Sequence, residues 1–182
     1  MTKRSQAREA MKQVLLLTGQ PGVGKTTVIR KVAAGLAGRR LGGFYTEEIR
    51  VAGERRGFRL TTLDGRQGVM AHVEFRGPAR VGKYGVDVAV VDELAADALA
   101  VRRDVDVYLV DEIGKMESLA AGFVKAMRDL LDSPKQVVAT IAERGGGFVA
   151  EVKERDDVEL LAVTHGNRDE LPGRVLAWLE SG

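Results

Sequence analysis

A glycine-rich loop between a strand pattern and a helix pattern constrains this chain most. Residues 19–26 read Gly-Gln-Pro-Gly-Val-Gly-Lys-Thr and match G-x-x-x-x-G-K-[ST]. The apolar run Val14 to Leu17 before the loop predicts a strand buried on both faces, and Thr27 to Arg39 predicts an amphipathic helix. In that context the glycines let backbone N–H groups converge on phosphate oxygens at the positive end of the helix. The sequence therefore predicts an α/β unit with a phosphate loop.

Each residue type in this loop has an expected role. Lys25 would reach the β- and γ-phosphates as a point charge, and the Thr26 hydroxyl would ligate Mg²⁺. Thr27 is placed to donate to the α-phosphate. The remaining predicted nucleotide contacts of the loop are Gly19, Gln20, Pro21, Gly22, Val23 and Gly24. The alternative is an ordinary glycine-rich turn, but a shuffled chain of this composition would contain the four fixed positions only about 0.01 times.

The composition excludes several other classes of site. The 182 residues contain no Cys, which rules out disulfides, thiolate zinc sites, iron–sulfur clusters and a Cys nucleophile, and two His leave little for a His-based metal site. The balance of 28 Lys+Arg against 26 Asp+Glu gives a net charge of +2, so no broad basic face for nucleic acid is implied. No stretch approaches the roughly 20 apolar residues of a membrane helix, and we expect a cytoplasmic protein.

Strand and helix patterns alternate along most of the chain. This alternation predicts a mostly parallel sheet with helices on both faces, in a single domain over residues 1–182. Residues 42–73 instead show short period-two runs between turn signals and predict an antiparallel meander. The polar lead, Met1 to Gln13, predicts a frayed tail or a loose helix. Further strands are expected at 106–110, 137–141 and 158–163, and further helices at 87–103, at 117–131 and from Leu171 onward.

An acidic pair follows the predicted strand at 106–110. A phosphate loop needs a carboxylate at the end of a neighbouring strand to hold the magnesium shell, and Asp111 is placed to supply it. Glu112, one residue on, would orient or deprotonate a water attacking the γ-phosphate. The alternative is a solvated pair of acids at a strand end.

Two further signals bear on base selectivity. The segment from Asp111 to Gly114 also fits the D-x-x-G pattern of GTPases. The late segment Asn167-Arg168-Asp169-Glu170, however, departs from the guanine-reading pattern Asn-Lys-x-Asp at two positions. This departure argues against strict guanine selection but leaves Asn167 and Arg168 near the expected place of a base.

Taken together, several segments resemble the family of small nucleoside-triphosphatases related to the human cancer-related nucleoside-triphosphatase, known also from thermophilic prokaryotes. The segments are 19–27, 43–50 (Gly-Phe-Tyr-Thr-Glu-Glu-Ile-Arg), Gly57-Phe58, 82–86 (Gly-Lys-Tyr-Gly-Val), 111–117 (Asp-Glu-Ile-Gly-Lys-Met-Glu) and Asn167-Arg168. The resemblance implies a RecA-like variant of the P-loop fold. It also implies slow Mg²⁺-dependent hydrolysis of ATP, GTP, CTP and UTP with little base selectivity. It places nucleotide contacts at 19–26 and at Leu109, Val110, Asp111, Glu112, Ile113 and Gly114.

Other residues have competing interpretations. Arg144, before three glycines, is a candidate arginine finger on a flexible lid, and Arg168 is a second candidate. Lys83 belongs either to a mobile cleft loop or to a turn. Phe44 is expected in the core more than under a base. Glu117 most simply complements a helix dipole.

Two other functions remain open at this stage. A nucleotide or small-molecule kinase would need an acceptor pocket and a lid, which the 42–86 region could provide. A regulatory nucleotide switch would bind diphosphate tightly and change shape around residues 82–86 or 113–114.

Overall fold

A computed structural model describes residues 12–182, which form one nine-stranded sheet with helices on both faces. In chain order the elements are β1 (Val14–Gly19), α1 (Lys25–Gly35), β2 (Leu41–Val51), β3 (Glu54–Thr62), β4 (Gln67–His72), β5 (Arg80–Val81), β6 (Tyr84–Val86), α2 (Val88–Ala98), β7 (Val107–Ile113), a 3₁₀ turn (Glu117–Leu119), α3 (Ala121–Leu131), β8 (Gln136–Ala142), α4 (Phe148–Lys153), β9 (Val158–Ala162) and α5 (Leu171–Ser181). The strand order across the sheet is β5-β6-β4-β3-β2-β7-β8-β1-β9. The predicted α/β class is confirmed.

The half of the sheet from β2 to β9 is parallel, and its central strands β7, β8 and β1 are buried on both faces. In β1, Leu15 and Leu17 pack with α1 and α5, whereas Val14 and Leu16 face the core shared with α2 and α3. This alternation explains the continuous apolar run, since both faces of the strand are covered. The carboxyl ends of β1, β7 and β8 therefore meet at one edge of the sheet.

The other half of the sheet is antiparallel. β2 pairs in parallel with β7 but antiparallel with β3, and the pairing continues through β4 to β6. The predicted meander is therefore present and extends beyond residue 73 through a short β5–β6 hairpin. Lys83 lies in the turn of that hairpin.

Several element bounds differ from the sequence predictions, and α2 ends at Ala98 rather than at residue 103. α1 begins at Lys25, inside the glycine-rich loop, and ends at Gly35 rather than Arg39. β7 runs on through the acidic pair to Ile113. The helix predicted from Glu117 is divided, because Ala120 is extended (ψ 113°) between the 3₁₀ turn and α3. Leu119, although it keeps helical spacing with Phe123, is consequently 42% exposed.

One helix lies outside the sequence predictions. The short helix α4 follows the three glycines at 145–147 and buries Phe148, Val149 and Val152.

The prediction for the polar lead falls mainly on residues 1–11, which lie outside the described residues. Within 12–182, no helix combines the length and apolar character that a bilayer crossing requires.

Candidate functional site

An open cleft of about 870 Å³ lies at the carboxyl edge of the parallel strands. The β1–α1 loop forms one wall, and residues that follow β7 and β8 form another. Ligands of open α/β sheets bind in this position, outside the carboxyl ends of the strands. The cleft is therefore the candidate functional site.

The β1–α1 loop has the backbone that a phosphate cradle requires. Gly24 caps α1 with φ +115°, a left-handed conformation that disfavours any side chain, and the Nζ of Lys25 donates to the carbonyl oxygens of Gly19 (2.8 Å) and Gln20 (3.2 Å). Lys25 is only 8% exposed, so its amine is held across the loop. The loop already positions the cation that was predicted to meet phosphate.

The other predicted loop residues divide between the cleft and the core. Those that line the cleft are Gly19, Pro21, Gly22, Gly24, Lys25, Thr26 and Thr27. Val23 is buried and packs in the core cluster that includes α1 and α5 residues. Gln20 is exposed but does not line the cleft.

Asp111 lies at the centre of a buried hydrogen-bond network. Its Oδ2 accepts from the Thr26 hydroxyl (2.7 Å) and its Oδ1 from the Thr140 hydroxyl (2.6 Å). The carboxyl group is 1% exposed, and this burial raises its pKa, while the hydrogen bonds from Thr140 and Thr26 oppose the rise. The structure thus brings the two predicted metal-side residues, Thr26 and Asp111, together. Thr140 was not predicted, because nothing in an apolar strand marks one threonine as a partner.

The donor set around Asp111 fits a magnesium ion that also binds phosphate. A hydroxyl and a carboxylate are hard oxygen ligands, and Mg²⁺ commonly takes only one or two protein ligands together with phosphate oxygens and waters. Among residues 12–182 no group of three or more His, Asp and Glu side chains could hold a metal by itself. The residues present therefore fit a cation that arrives with a nucleotide.

Glu112 faces the cleft beside a second carboxyl group. A Cβ added at Gly114 would lie 3.3 Å from Oε1 of Glu112 and 2.8 Å from Oε2 of Glu117, so these two oxygens are at most 6.1 Å apart. Burial raises the pKa of Glu112, and the Lys25 charge opposes the rise. The absence of a side chain at Gly114 makes room for the acid pair.

Glu117 differs most from its sequence prediction. It lies buried in the cleft wall, 6% exposed, instead of on the surface at a helix start. Burial raises its pKa to about 8, although backbone N–H groups, including that of Gly114, favour the ionised form. The group is thus a protonated acid at neutral pH. The only sequence signal for a functional acid at Glu117 was that it lies within the segment 111–117, one of the segments that carry the family resemblance.

Several predicted site residues have other surroundings. The side chains of Leu109, Val110 and Ile113 are buried in the core and do not line the cleft. Asn167 is engaged by its own loop, because its Oδ1 accepts from the Thr164 N–H (2.8 Å) and its Nδ2 donates to the Ala162 carbonyl (2.8 Å).

The two candidate arginine fingers differ in position. Arg168 packs on the β1–α1 loop, where its Nη1 donates to the Val23 carbonyl (3.3 Å). Arg144 lines the cleft and is exposed. Its guanidinium makes no hydrogen bond or ion pair to any of residues 12–182.

An ion pair and a ring contact missed by the sequence analysis connect α1 to the antiparallel half. Arg30 pairs with Glu47, and its guanidinium lies 4.5 Å from the centre of the Tyr45 ring. Glu48 on the same strand pairs with Arg50 and Arg55. Phe44 is fully buried and contacts Phe123 edge to face, as its core interpretation predicted.

Comparison with known proteins gives consistent matches over nearly the whole described chain. The family model described as NTPase matches residues 14–176. The nucleoside-triphosphatase THEP1 of Thermotoga petrophila is 43% identical over 163 residues, covering 89% of this chain and 90% of that protein. The human cancer-related nucleoside-triphosphatase is 37% identical over 190 residues, covering 94% and 98%. The crystal structure of THEP1 from Aquifex aeolicus superposes with a TM-score of 0.83 at 37% identity, covering 92% of this chain and 99% of that one.

Proposed function

The chain belongs to the NTPase family, and we propose that it hydrolyses nucleoside 5′-triphosphates in this cleft. The products would be nucleoside diphosphate and phosphate, the cofactor would be Mg²⁺, and ATP, GTP, CTP and UTP would all be slowly turned over substrates. The observation that carries the proposal is that Lys25, Thr26 and Glu112 line one cleft, with the buried Asp111 hydrogen-bonded to Thr26. The names of the relatives support the reaction class.

Binding of the triphosphate rests on the β1–α1 loop. Its backbone N–H groups, at the N-terminus of α1, would surround the phosphate oxygens, and Lys25 would exchange its loop carbonyls for β- and γ-phosphate oxygens. Thr26 and Asp111 would hold Mg²⁺, which neutralises charge developing on the phosphate oxygens. The Thr26–Asp111 contact supports this, because it places both ligands on the β7 side of the loop.

Glu112 is proposed as the group that accepts the proton of the attacking water. The water oxygen would bond to the γ-phosphorus as the bond to the β–γ bridging oxygen breaks, and the water proton would pass to a Glu112 oxygen. Because burial raises the pKa of Glu112, it is a stronger base than an exposed carboxylate. Arg144, exposed on the cleft rim, is proposed to stabilise charge on the γ-phosphate.

Low base selectivity follows from how the β9–α5 loop is built. Both Oδ1 and Nδ2 of Asn167 already make hydrogen bonds to backbone groups of its own loop. Arg168 lies against the phosphate loop. The Asn167 amide is thus not free to read the edge of a base, and Arg168 is held toward the phosphate loop, so we propose similar rates for purine and pyrimidine triphosphates.

Phosphate release from each of the four nucleotides, with purified full chain and Mg²⁺, tests the proposal. We expect Lys25→Ala and Glu112→Gln to lower the rate at least about 10²-fold, as for removal of a transition-state contact. Lys31→Ala, on the exposed side of α1, and Glu154→Gln, on the surface, are matched controls that should keep the wild-type rate. Wild-type rates equal to those of Lys25→Ala for every nucleotide would refute hydrolysis at this site.

A further inference from the structure

The cleft does not end at the acid pair but continues over the antiparallel half of the sheet. There it is lined by six residues that we call the sheet hollow: Thr46, Glu48, Phe58, Met70, Val81 and Met116. Glu48 is paired in register with Phe58, and Thr46 lies two residues before Glu48, so these side chains share one face of β2 and β3. Hydrolysis by water requires none of the six.

The sheet hollow lies on the γ-phosphate side of the site. In the strand order, β8 and β7 separate β1, which carries the phosphate loop, from β2 and β3, which carry three of the six residues of the hollow, and β7 is the strand next to β2. Thr26 bonds across to Asp111 on β7, so the metal-side end of the phosphate chain is directed toward that strand. Glu112 is therefore placed between the terminal phosphate and the hollow.

The size and surface of the hollow suit an organic molecule. The whole cleft of about 870 Å³ is near the upper end of the roughly 300–1,000 Å³ found for single ligand sites. Phe58, Met70, Val81 and Met116 provide an apolar lining, and the Phe58 ring is fixed edge to face against Tyr84 at 5.2 Å. An apolar concavity of this kind beside reactive polar groups is typical of a substrate site.

The six residues of the sheet hollow include no cation that could hold an anionic occupant. The guanidinium of Arg55 lies 5.6 Å from the Phe58 ring centre, but it is already ion-paired with Glu48. The rest of the cleft lining carries charges of both signs, among them Glu112, Lys115 and Arg144. A flat, uncharged molecule can stack on the apolar lining and donate from its hydroxyl groups to the Glu48 and Glu112 carboxylates without needing a cation in the hollow.

We propose that the sheet hollow binds a second substrate, an uncharged alcohol with a flat ring such as a nucleoside, which accepts the γ-phosphoryl group. The acceptor oxygen would bond to the γ-phosphorus, the bond to the β–γ bridging oxygen would break, and the nucleoside diphosphate would leave with that electron pair. The acceptor proton would pass to Glu112. This inference rests on the proposed function, because both reactions use the same phosphate loop and the same base.

The test measures diphosphate and free phosphate separately, with γ-labelled ATP, Mg²⁺ and the full chain. Water as acceptor gives equal amounts of the two products, whereas transfer gives an excess of diphosphate matched by labelled acceptor. Adenosine, cytidine and thymidine are the uncharged ring alcohols, their 5′-monophosphates are the anionic comparison, and glycerol lacks a ring. We expect a nucleoside to raise diphosphate formation at least about tenfold over free phosphate.

Two substitutions locate the acceptor. Val81→Trp fills the hollow and should lower the ratio of transfer to hydrolysis at least about tenfold. Val101→Trp, at a surface position 46% exposed and outside the cleft, is the matched control and should leave that ratio unchanged. Phe58→Leu keeps apolar volume but removes the flat ring, and should raise the KM for the nucleoside even if Val81→Trp does not fold.

Four outcomes distinguish a failure of the proposed acceptor site from a failure of the proposed hydrolysis. Equal diphosphate and phosphate with every acceptor would overturn the acceptor site and leave hydrolysis standing. Transfer to monophosphates but not to nucleosides would overturn the proposed ligand chemistry. Transfer that both Val81→Trp and Phe58→Leu leave intact would overturn the location. Absence of both products would overturn the proposed function as well.

Discussion

The variant Glu117→Gln should be more stable than the wild type, by a margin that grows as the pH rises from 4.5 to about 8. The carboxyl group is buried and its pKa is raised from 4.5 to about 8. Above pH 4.5 the unfolded chain therefore releases a proton that the folded protein still holds, and rising pH favours unfolding until the folded group also ionises near pH 8. Gln has the shape of the neutral acid but does not ionise. The variant should therefore keep the stability that the wild type loses.

The pKa shift sets the size of the effect. Each pH unit between the two pKa values costs about 1.4 kcal/mol of stability, which gives about 3 kcal/mol at pH 7 and a ceiling of roughly 4–5 kcal/mol above pH 8. Below pH 4.5 the two proteins should differ little, because the acid is protonated in both states. Against a total stability of roughly 5–15 kcal/mol, a difference of this size is readily measured.

Urea unfolding of wild type and Glu117→Gln from pH 4 to pH 9 provides the measurement. The free energy of unfolding comes from the midpoint and slope at each pH, in nucleotide-free protein. Glu93→Gln, at an exposed position on α2, is the matched control and should follow the wild-type curve. A difference between wild type and Glu117→Gln that stays constant over the whole range would refute a protonated Glu117.

Three other predictions concern the framework of the site. Gly43→Ala should cost roughly 3–5 kcal/mol, because φ is +107° and the new Cβ would overlap a backbone carbonyl of β7, whereas Gly38→Ala, at φ +90° in open space, should cost only about 1–2 kcal/mol; equal losses in thermal unfolding would contradict the overlap. Thr140→Val removes a hydrogen bond to buried Asp111 and should cost about 1–3 kcal/mol in urea unfolding and slow phosphate release; an unchanged midpoint and rate would rule out a contribution from this bond. Asn167→Ala loosens its own loop and should weaken binding of all four nucleotides by the same factor in calorimetric titrations, so a loss confined to GTP would mean that the side chain reads the base.

Sequence reasoning succeeded where neighbouring residues define the structure. The strand, the glycine-rich loop and α1 follow one another directly, so period and motif identified them together. The same reasoning missed the break at Ala120, because Met116, Leu119 and Phe123 keep helical spacing although the chain between them does not stay helical. It also missed α4, whose six residues are too few for a periodic signal.

The sequence by itself determined the fold class, the place of the glycine-rich loop and the acidic strand end, because these depend on the local order of residues. Only the tertiary structure decided which groups meet. Thr26 on α1 is 85 positions from Asp111 on β7, Thr140 on β8 is 29 positions from it, and each pair is joined by a hydrogen bond. The buried state of Glu117 and the hollow over the antiparallel strands likewise depend on what packs against them. Burial and proximity are properties of distant segments brought together, and local patterns do not contain them.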